Sequence, residues 1–430
     1  MTDGAVPAQG PVTRSSVLRV GAATVVSALC GYAVLYLAAR DLEPAGFSVF
    51  AVFWGAFGLF AGAANGLLQE STREVRDAQR VETGHGPHTN PMRLAAGVAV
   101  VAALAIAGTS PLWAGHVFAD LRLLSVALLS AGLAGFCLHA TLLGVLAGVD
   151  RWTGYGTLIV GDAAMRVIVA TATFMVGWGL GGYLWATVAG SFAWLALLLA
   201  SAPTRAAARL LTPGTAATFL RGAGHSIAAA GASAVLIMGF PVLLKATSAE
   251  LGATGGVVIL AVTLTRAPLL VPLTAMQGNL IAHFVDAREH PGAGAKRLGG
   301  FIALRSLVGP TLLTVAFGGV AVLIAGLAGP WLLRTAFGPD YVAGGALLAW
   351  LTTAAIVIAL LTLTGAATVA AAQQRAYAAG WIGATLASAL LLLLPLDLET
   401  RTVVALTCGP LVGIVVHLTA LSRVPPRITV

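Results

Sequence analysis

Charge is nearly missing from this chain: Asp, Glu, Lys and Arg together make up 9% of its 430 residues, against roughly 25% in an ordinary soluble domain. With 58% hydrophobic residues and a mean hydropathy of +0.92, it carries more apolar surface than a soluble core can bury. Long polar segments are lacking as well. The longest, residues 69–91, is too short for a water-soluble domain on either side of a membrane. The three cysteines, Cys30, Cys137 and Cys408, have no paired spacing and no histidine partner, so neither a disulfide nor a structural metal is expected. No G-x-x-x-x-G-K-[ST], G-x-S-x-G or H-E-x-x-H sequence occurs, which leaves no nucleotide-hydrolysing, serine-nucleophile or zinc-protease site. No cofactor is expected.

What is present is a series of twelve long apolar stretches: 17–38, 46–68, 94–114, 121–147, 156–177, 180–201, 225–245, 254–279, 301–327, 341–366, 377–395 and 402–421. Each approaches the ~20 residues of one bilayer crossing, so the sequence predicts an all-α integral membrane protein. Residues 1–16 read as a polar tail and not as a cleaved signal, because the first apolar run is long enough to remain in the membrane. With the N-terminus placed in the cytoplasm, seventeen of the 24 Lys and Arg fall in inner links, five in outer links, and Arg166 and Arg266 inside spans. That bias predicts cytoplasmic N- and C-termini in a bacterial plasma membrane. It also explains the net charge of +8 without nucleic acid, since basic inner links suit an anionic leaflet. The preference for Arg over Lys, with abundant Ala, Gly, Val and Leu, points to a GC-rich bacterium.

The order of spans suggests two six-helix lobes, 17–202 and 225–421, joined by a cytoplasmic connector at 203–224 and followed by a tail at 422–430. A parallel repeat of this kind is related by a pseudo-two-fold axis along the membrane normal and places its cavity between the halves. Inside the spans the charges are few. Asp162 and Arg166 lie one helical turn apart on one face, and Arg266 stands alone. A mid-membrane charge costs ~2.5–3.5 kcal/mol on insertion scales, so such residues are expected to face a wet cavity or a partner. Two arginines and one aspartate suggest a cationic cavity, with Arg40 and Lys245 near its outer rim. A guanidinium binds phosphate oxygens in bidentate fashion. On the alternative, structural reading, Asp162 and Arg166 merely neutralise each other and Arg266 caps a helix break at Pro268. Asn65, Gln69, Gln277 and Asn279 are further polar groups that contact a sugar or one another. Helix breaks are expected at Pro241, Pro268, Pro272, Pro310 and Pro410. His139 and His417 read as hydrogen-bonders between helices.

Three short motifs then point to a family. Residues 39–50, Ala-Arg-Asp-Leu-Glu-Pro-Ala-Gly-Phe-Ser-Val-Phe, resemble the R-x-L-x-P-x-x-F/Y-G-x-F link between the first two helices of polysaccharide-exporting flippases, with Gly46 and Phe47 transposed. Residues 336–341, Ala-Phe-Gly-Pro-Asp-Tyr, are similar to the F-G-x-x-Y link between helices nine and ten, and Arg266 with Pro268 to an arginine-proline pair in helix eight. Together with the link 144–155, they make the chain resemble the oligosaccharide-lipid flippase branch of the multidrug/oligosaccharidyl-lipid/polysaccharide exporter superfamily. The resemblance implies a non-enzymatic transporter that flips a polyprenyl-(di)phosphate-linked sugar by alternating access. Arg166, Arg266, Lys245, Arg40, Asn65, Gln277 and Asn279 would bind substrate, and Asp162 is the candidate for ion coupling. The partners implied are the lipid-linked glycan, membrane lipids and cell-envelope glycosyltransferases. Two alternatives stand beside it: a multidrug or cation antiporter that depends on Asp162, and a polyprenyl-phosphate-dependent glycosyltransferase using Asp41 or Glu43.

Overall fold

In lipid every backbone N–H and C=O must be satisfied within its own segment, so uninterrupted apolar runs propagate as helix. The computed structural model describes residues 14–80, 87–276, 280–281, 283–285 and 299–423, and these are almost wholly helical. Helix α1 (Arg14–Arg80) holds the first two expected spans and bends between them at Glu43, whose φ of 55° is non-helical and precedes Pro44. Then follow α2 (Pro91–Val117), α3 (Arg122–Gly148) and α4 (Trp152–Val176). The sixth expected span is α5 (Leu180–Ala189) and α6 (Ala193–Ala200), interrupted by a 3-10 turn at Gly190–Phe192. After the short α7 (Ala202–Ala208) come α8 (Ala216–Ile237) and α9 (Phe240–Ala246), which meet at a 68° bend. The remainder is α10 (Gly252–Ala275), α11 (Gly299–Phe337), α12 (Gly345–Ala370), α13 (Gln374–Leu391) and α14 (Leu398–Ser422). Among the described residues nine helices are long and apolar enough to cross a membrane, ten if α8 and α9 form one span.

Two expectations are refined. The connector expected at 203–224 is itself structured. It holds α7, a two-residue strand β2 (Thr212–Pro213) and the start of α8, which begins at Ala216 behind Thr215, whose Oγ1 accepts from the Thr218 N–H at 3.2 Å. Strand β2 pairs antiparallel with β1 (His88–Thr89), so two polar links satisfy each other's backbone. Asn90 strengthens the junction by donating to the Ala208 and Leu210 carbonyls at 3.1 and 3.0 Å. The second concerns proline. A break occurs just before Pro241, whereas α10 runs through Pro268 and Pro272, α11 through Pro310 and α14 through Pro410.

Helix α1 is the spine of the molecule, with α3 and α4 packed on it from the N-terminal half and α8 and α10 from the C-terminal half. A small residue at Gly66 lets the backbone of α8 at Ile227 come so close that a Cβ would not fit, as expected where membrane helices pack tightly. The core is aromatic at one end of that spine: Phe47, Phe50, Tyr183 and Tyr341 are fully buried, with Phe50 5.9 Å from Phe47 and 5.8 Å from Tyr183.

Candidate functional site

The intramembrane charges resolve into two different environments. On α4, Arg166 donates from Nε and Nη2 to Asp162 Oδ1 at 3.2 and 3.0 Å, and both side chains are 14% exposed. The i, i+4 spacing presents the two on one face, and the Phe57 ring of α1 lies 5.4 Å from the guanidinium. All these partners come from the N-terminal half. His139 of α3 sits within electrostatic reach of both charges, stacked on Phe136 at 5.4 Å. Its buried Nδ1 has no hydrogen-bond partner among the described residues, contrary to the expectation of an interhelical bond. His417 does make such bonds, to the Thr364 hydroxyl at 3.1 Å and the Tyr377 carbonyl at 3.2 Å.

Arg266 of α10 is 7% exposed and has no carboxylate among its recorded contacts. Its Nη1 donates to the carbonyls of Leu236 and Ile237 at 3.4 and 3.2 Å. These belong to the last turn of α8, where the bend into α9 leaves carbonyls without intrahelical donors, and a cation is favourable at a helix C-terminus. The Phe240 ring is 5.3 Å away, and Tyr32 of α1 interacts with the charge from the other half of the chain. The second nitrogen, Nη2, is buried with no partner among the described residues. Arg266 therefore meets a helix break, but that of α8 and not one at Pro268. Among the described residues Arg166 and Arg266 share no recorded partner.

On another face of α10, away from the contacts of Arg266, lies a cavity that sequence reasoning missed. Leu264, Thr265 and Pro268 of α10, Phe317 and Ile324 of α11 and Leu348 of α12 enclose part of an apolar groove of about 410 Å³. Thr265 turns its hydroxyl back to the Ala261 carbonyl at 2.7 Å, which leaves a hydrocarbon wall. Phe317, Val320 and Ile324 are more than half exposed, so the groove opens sideways on the α11 face. Only the tertiary packing of three helices creates it. No local sequence signal could have found it.

Two of the family-like motifs converge at the bend of α1. The Tyr341 hydroxyl donates to the Ala39 carbonyl at 2.9 Å, and its ring lies 6.3 Å from Phe47. Tyr36 and Phe337 pack edge to face at 5.6 Å. Gly256 of α10 presses against the Pro44 carbonyl so closely that no side chain fits. Arg40 is exposed beside Gly338, and Lys245 donates to the Ala249 carbonyl at 2.8 Å while lining a cavity of about 310 Å³ with Asp120 and Glu250. Both basic residues thus belong to this end of the molecule, away from the contacts of Arg266. Asn65 is half-buried and Gln69 exposed on α1. Gln277 and Asn279 lie outside the described residues. Among the described residues no group of three His, Cys, Asp or Glu side chains is placed to hold a metal.

No protein-family model matches the chain. It is 66% identical over 415 residues to the uncharacterized protein Rv3630 of Mycobacterium tuberculosis, spanning 96% of this chain and 94% of that one. A second uncharacterized M. tuberculosis protein, Rv1510, is 62% identical over 427 residues, spanning 99% and 96%. The chain belongs to this mycobacterial family. Among solved structures, it is similar to an inward-facing multidrug resistance MATE family transporter of the MOP superfamily, with a TM-score of 0.69, 12% identity and coverage of 95% of this chain and 98% of that one. An outward-facing MATE transporter gives 0.61 at 14% identity over 94% and 96%. A third, from Pyrococcus furiosus, gives 0.60 at 14% over 95% and 96%; its binding pocket is described as reversed in polarity, suggesting a different function. At these identities the likeness is one of fold. This mycobacterial-family chain is a multi-pass membrane protein with a MATE-like transporter fold.

Proposed function

We propose that the protein is an alternating-access transporter of the bacterial plasma membrane that flips a polyprenyl-(di)phosphate-linked sugar or oligosaccharide for cell-envelope polysaccharide synthesis. One observation carries this reading: α10 bears a buried guanidinium whose Nη2 has no partner among the described residues, and on another face the same helix borders a hydrocarbon groove open to the side. An anion-binding group and a sideways-open apolar groove on one helix suit the two chemistries of an amphiphilic anion. Arg266 holds the (di)phosphate while the prenyl chain stays in the groove and the surrounding lipid. In this reading the halves 17–202 and 225–421 rock against each other about the spine of α1, and Lys245 and Arg40 at the outer rim receive the headgroup on its way out. Asn65, with Gln277 and Asn279, contacts the sugar. The higher similarity to the inward-facing MATE structure agrees with the packed contact between residues 39–50 and 336–341, which would close the outer side.

The second reading, a multidrug or cation antiporter, has the MATE-like fold in its favour. It needs an accessible carboxylate, however, and Asp162 is already bound twice by Arg166. The reversed pocket polarity described for the Pyrococcus furiosus transporter, taken there to suggest a different function, shows that this fold is not tied to one pocket polarity. In the proposed cycle Asp162 couples to an ion only if protonation releases Arg166. The glycosyltransferase reading loses ground because Glu43 forms the bend of α1, and Asp41 lies against the Tyr183 hydroxyl. The test is lipid analysis of cells depleted of the protein. A prenyl-linked glycan should accumulate on the inner leaflet. Unchanged lipid-linked glycan together with new sensitivity to cationic compounds would favour the antiporter instead.

A further inference from the structure

The N-terminal half carries a second cavity at the basic end of the molecule, which the transport reading does not use. It measures about 450 Å³ and lies where the first turns of α1 and α4 meet the junction of α6 and α7. Arg19, Arg151, Trp152, Thr153, Thr157 and Ser201 supply most of its polar wall. Arg19 spans part of it by donating to the Thr153 hydroxyl at 3.3 Å. Arg151 is exposed, and its guanidinium has no acceptor among the described residues. The one carboxylate at the rim, Asp150, faces Arg76 at 4.0 Å, so it does not cancel the arginine pair.

The cavity has an apolar continuation. Arg19, Ala22 and Val26 share one face of α1 by their i, i+3 and i+7 spacing, and Thr153, Thr157 and Val160 share one face of α4. Val26 and Val160 are 41% and 37% exposed, and Leu199 of α6 is 83% exposed. Two cations and a hydroxyl cluster therefore head a lane of exposed hydrocarbon that runs toward the membrane interior. Arginine forks match phosphate oxygens, and Trp152 is the amphipathic ring that suits the headgroup level of a bilayer.

We infer that this cavity binds the phosphodiester headgroup of an anionic phospholipid in the leaflet at the basic end, its acyl chains lying along α1 and α4. The site is independent of which substrate is carried. Arg19 and Arg151 hold the phosphate, the Thr153 and Thr157 hydroxyls donate to headgroup oxygens, and Asp150 together with Arg76 borders the glycerol side. A neutral phosphatidylcholine headgroup, whose quaternary amine would meet two guanidinium groups, is disfavoured.

The experiment is native mass spectrometry of the full chain released from nanodiscs of phosphatidylcholine with or without phosphatidylglycerol. Wild type should retain phosphatidylglycerol in preference to phosphatidylcholine, and R19Q/R151Q should lower that retention by about tenfold or more, given what each basic group contributes at an anionic surface. V160W changes an exposed side chain and blocks the apolar lane. It should lower retention with both arginines in place, which separates lipid binding from capture of a free phosphate. Equal retention by wild type and R19Q/R151Q overturns the inference. So does displacement of the lipid by inorganic phosphate with V160W at wild-type retention, because the ligand would then be a soluble phosphate.

Discussion

Arg166 and Arg266 are the same side chain buried in apolar helices, and their surroundings differ by one carboxylate. Around Arg166 the charge is answered locally, by Asp162 one turn away on the same helix. Around Arg266 it is answered, among the described residues, by carbonyl dipoles, a ring and a phenol, with Nη2 left without a partner. A buried charge without a full complement of partners costs stability and persists where something outside the chain completes it. Similar residues in similar spans thus end in different surroundings: an ion pair within α4, and a guanidinium without a carboxylate, to which the proposed function assigns an anion.

The largest expected effect breaks the first environment. Asp162→Asn leaves Arg166 buried without its counter-charge and should cost about 3–5 kcal/mol, read as a lower unfolding temperature in detergent. The D162L/R166M double variant should recover most of that loss and keep transport. Failure of the double variant to transport would give the pair a role in coupling. Breaking the second environment should have the opposite signature. Arg266→Gln removes a charge that costs ~2.5–3.5 kcal/mol to insert and gives up two bonds to carbonyls. Its unfolding temperature should hold or rise while transport of lipid-linked sugar falls about tenfold or more, the worth of a charged hydrogen bond of ~1.5–3 kcal/mol. Marked destabilisation with transport intact would make Arg266 a helix cap and nothing else.

Smaller changes sharpen the comparison. Ala321→Phe fills the groove bordered by α10 without touching the Asp162–Arg166 pair. It should raise the KM for a long-chain prenyl substrate several-fold and leave a short-chain analogue unaffected. Tyr341→Phe removes one bond across the packed end, to the Ala39 carbonyl, worth about 1 kcal/mol. That should shift the population toward the outward-open state by roughly fivefold, measured by spin-label distances across residues 39–50 and 336–341. An unchanged distance distribution would mean that this contact does not close the outer side.

Much of the fold was legible because the bilayer enforces one rule on every segment. The apolar runs lie in helices, some of which extend well past the expected limits (α1 to Arg80, α8 back to Ala216, α11 to Phe337), and the bend at Glu43–Pro44 lies in the expected first link. The Asp162–Arg166 pair was legible from its spacing alone. What was not legible depends on contacts between distant segments. The carbonyls that receive Arg266 come from a break some 29 residues earlier, and a lone arginine in a span does not name its partner. The link at 39–50 meets Tyr341 across 302 positions. Helical periodicity carries no information about such a meeting, although the motifs were visible separately. Prolines misled because a helix in the membrane tolerates them wherever neighbours satisfy the freed carbonyl.

The most direct test of the account compares binding of a polyprenyl diphosphate sugar to wild type, R266Q and D162L/R166M in nanodiscs by native mass spectrometry. The account predicts that R266Q loses the ligand by about tenfold or more while D162L/R166M binds it as wild type does. Undiminished binding by R266Q, or loss confined to D162L/R166M, would contradict it.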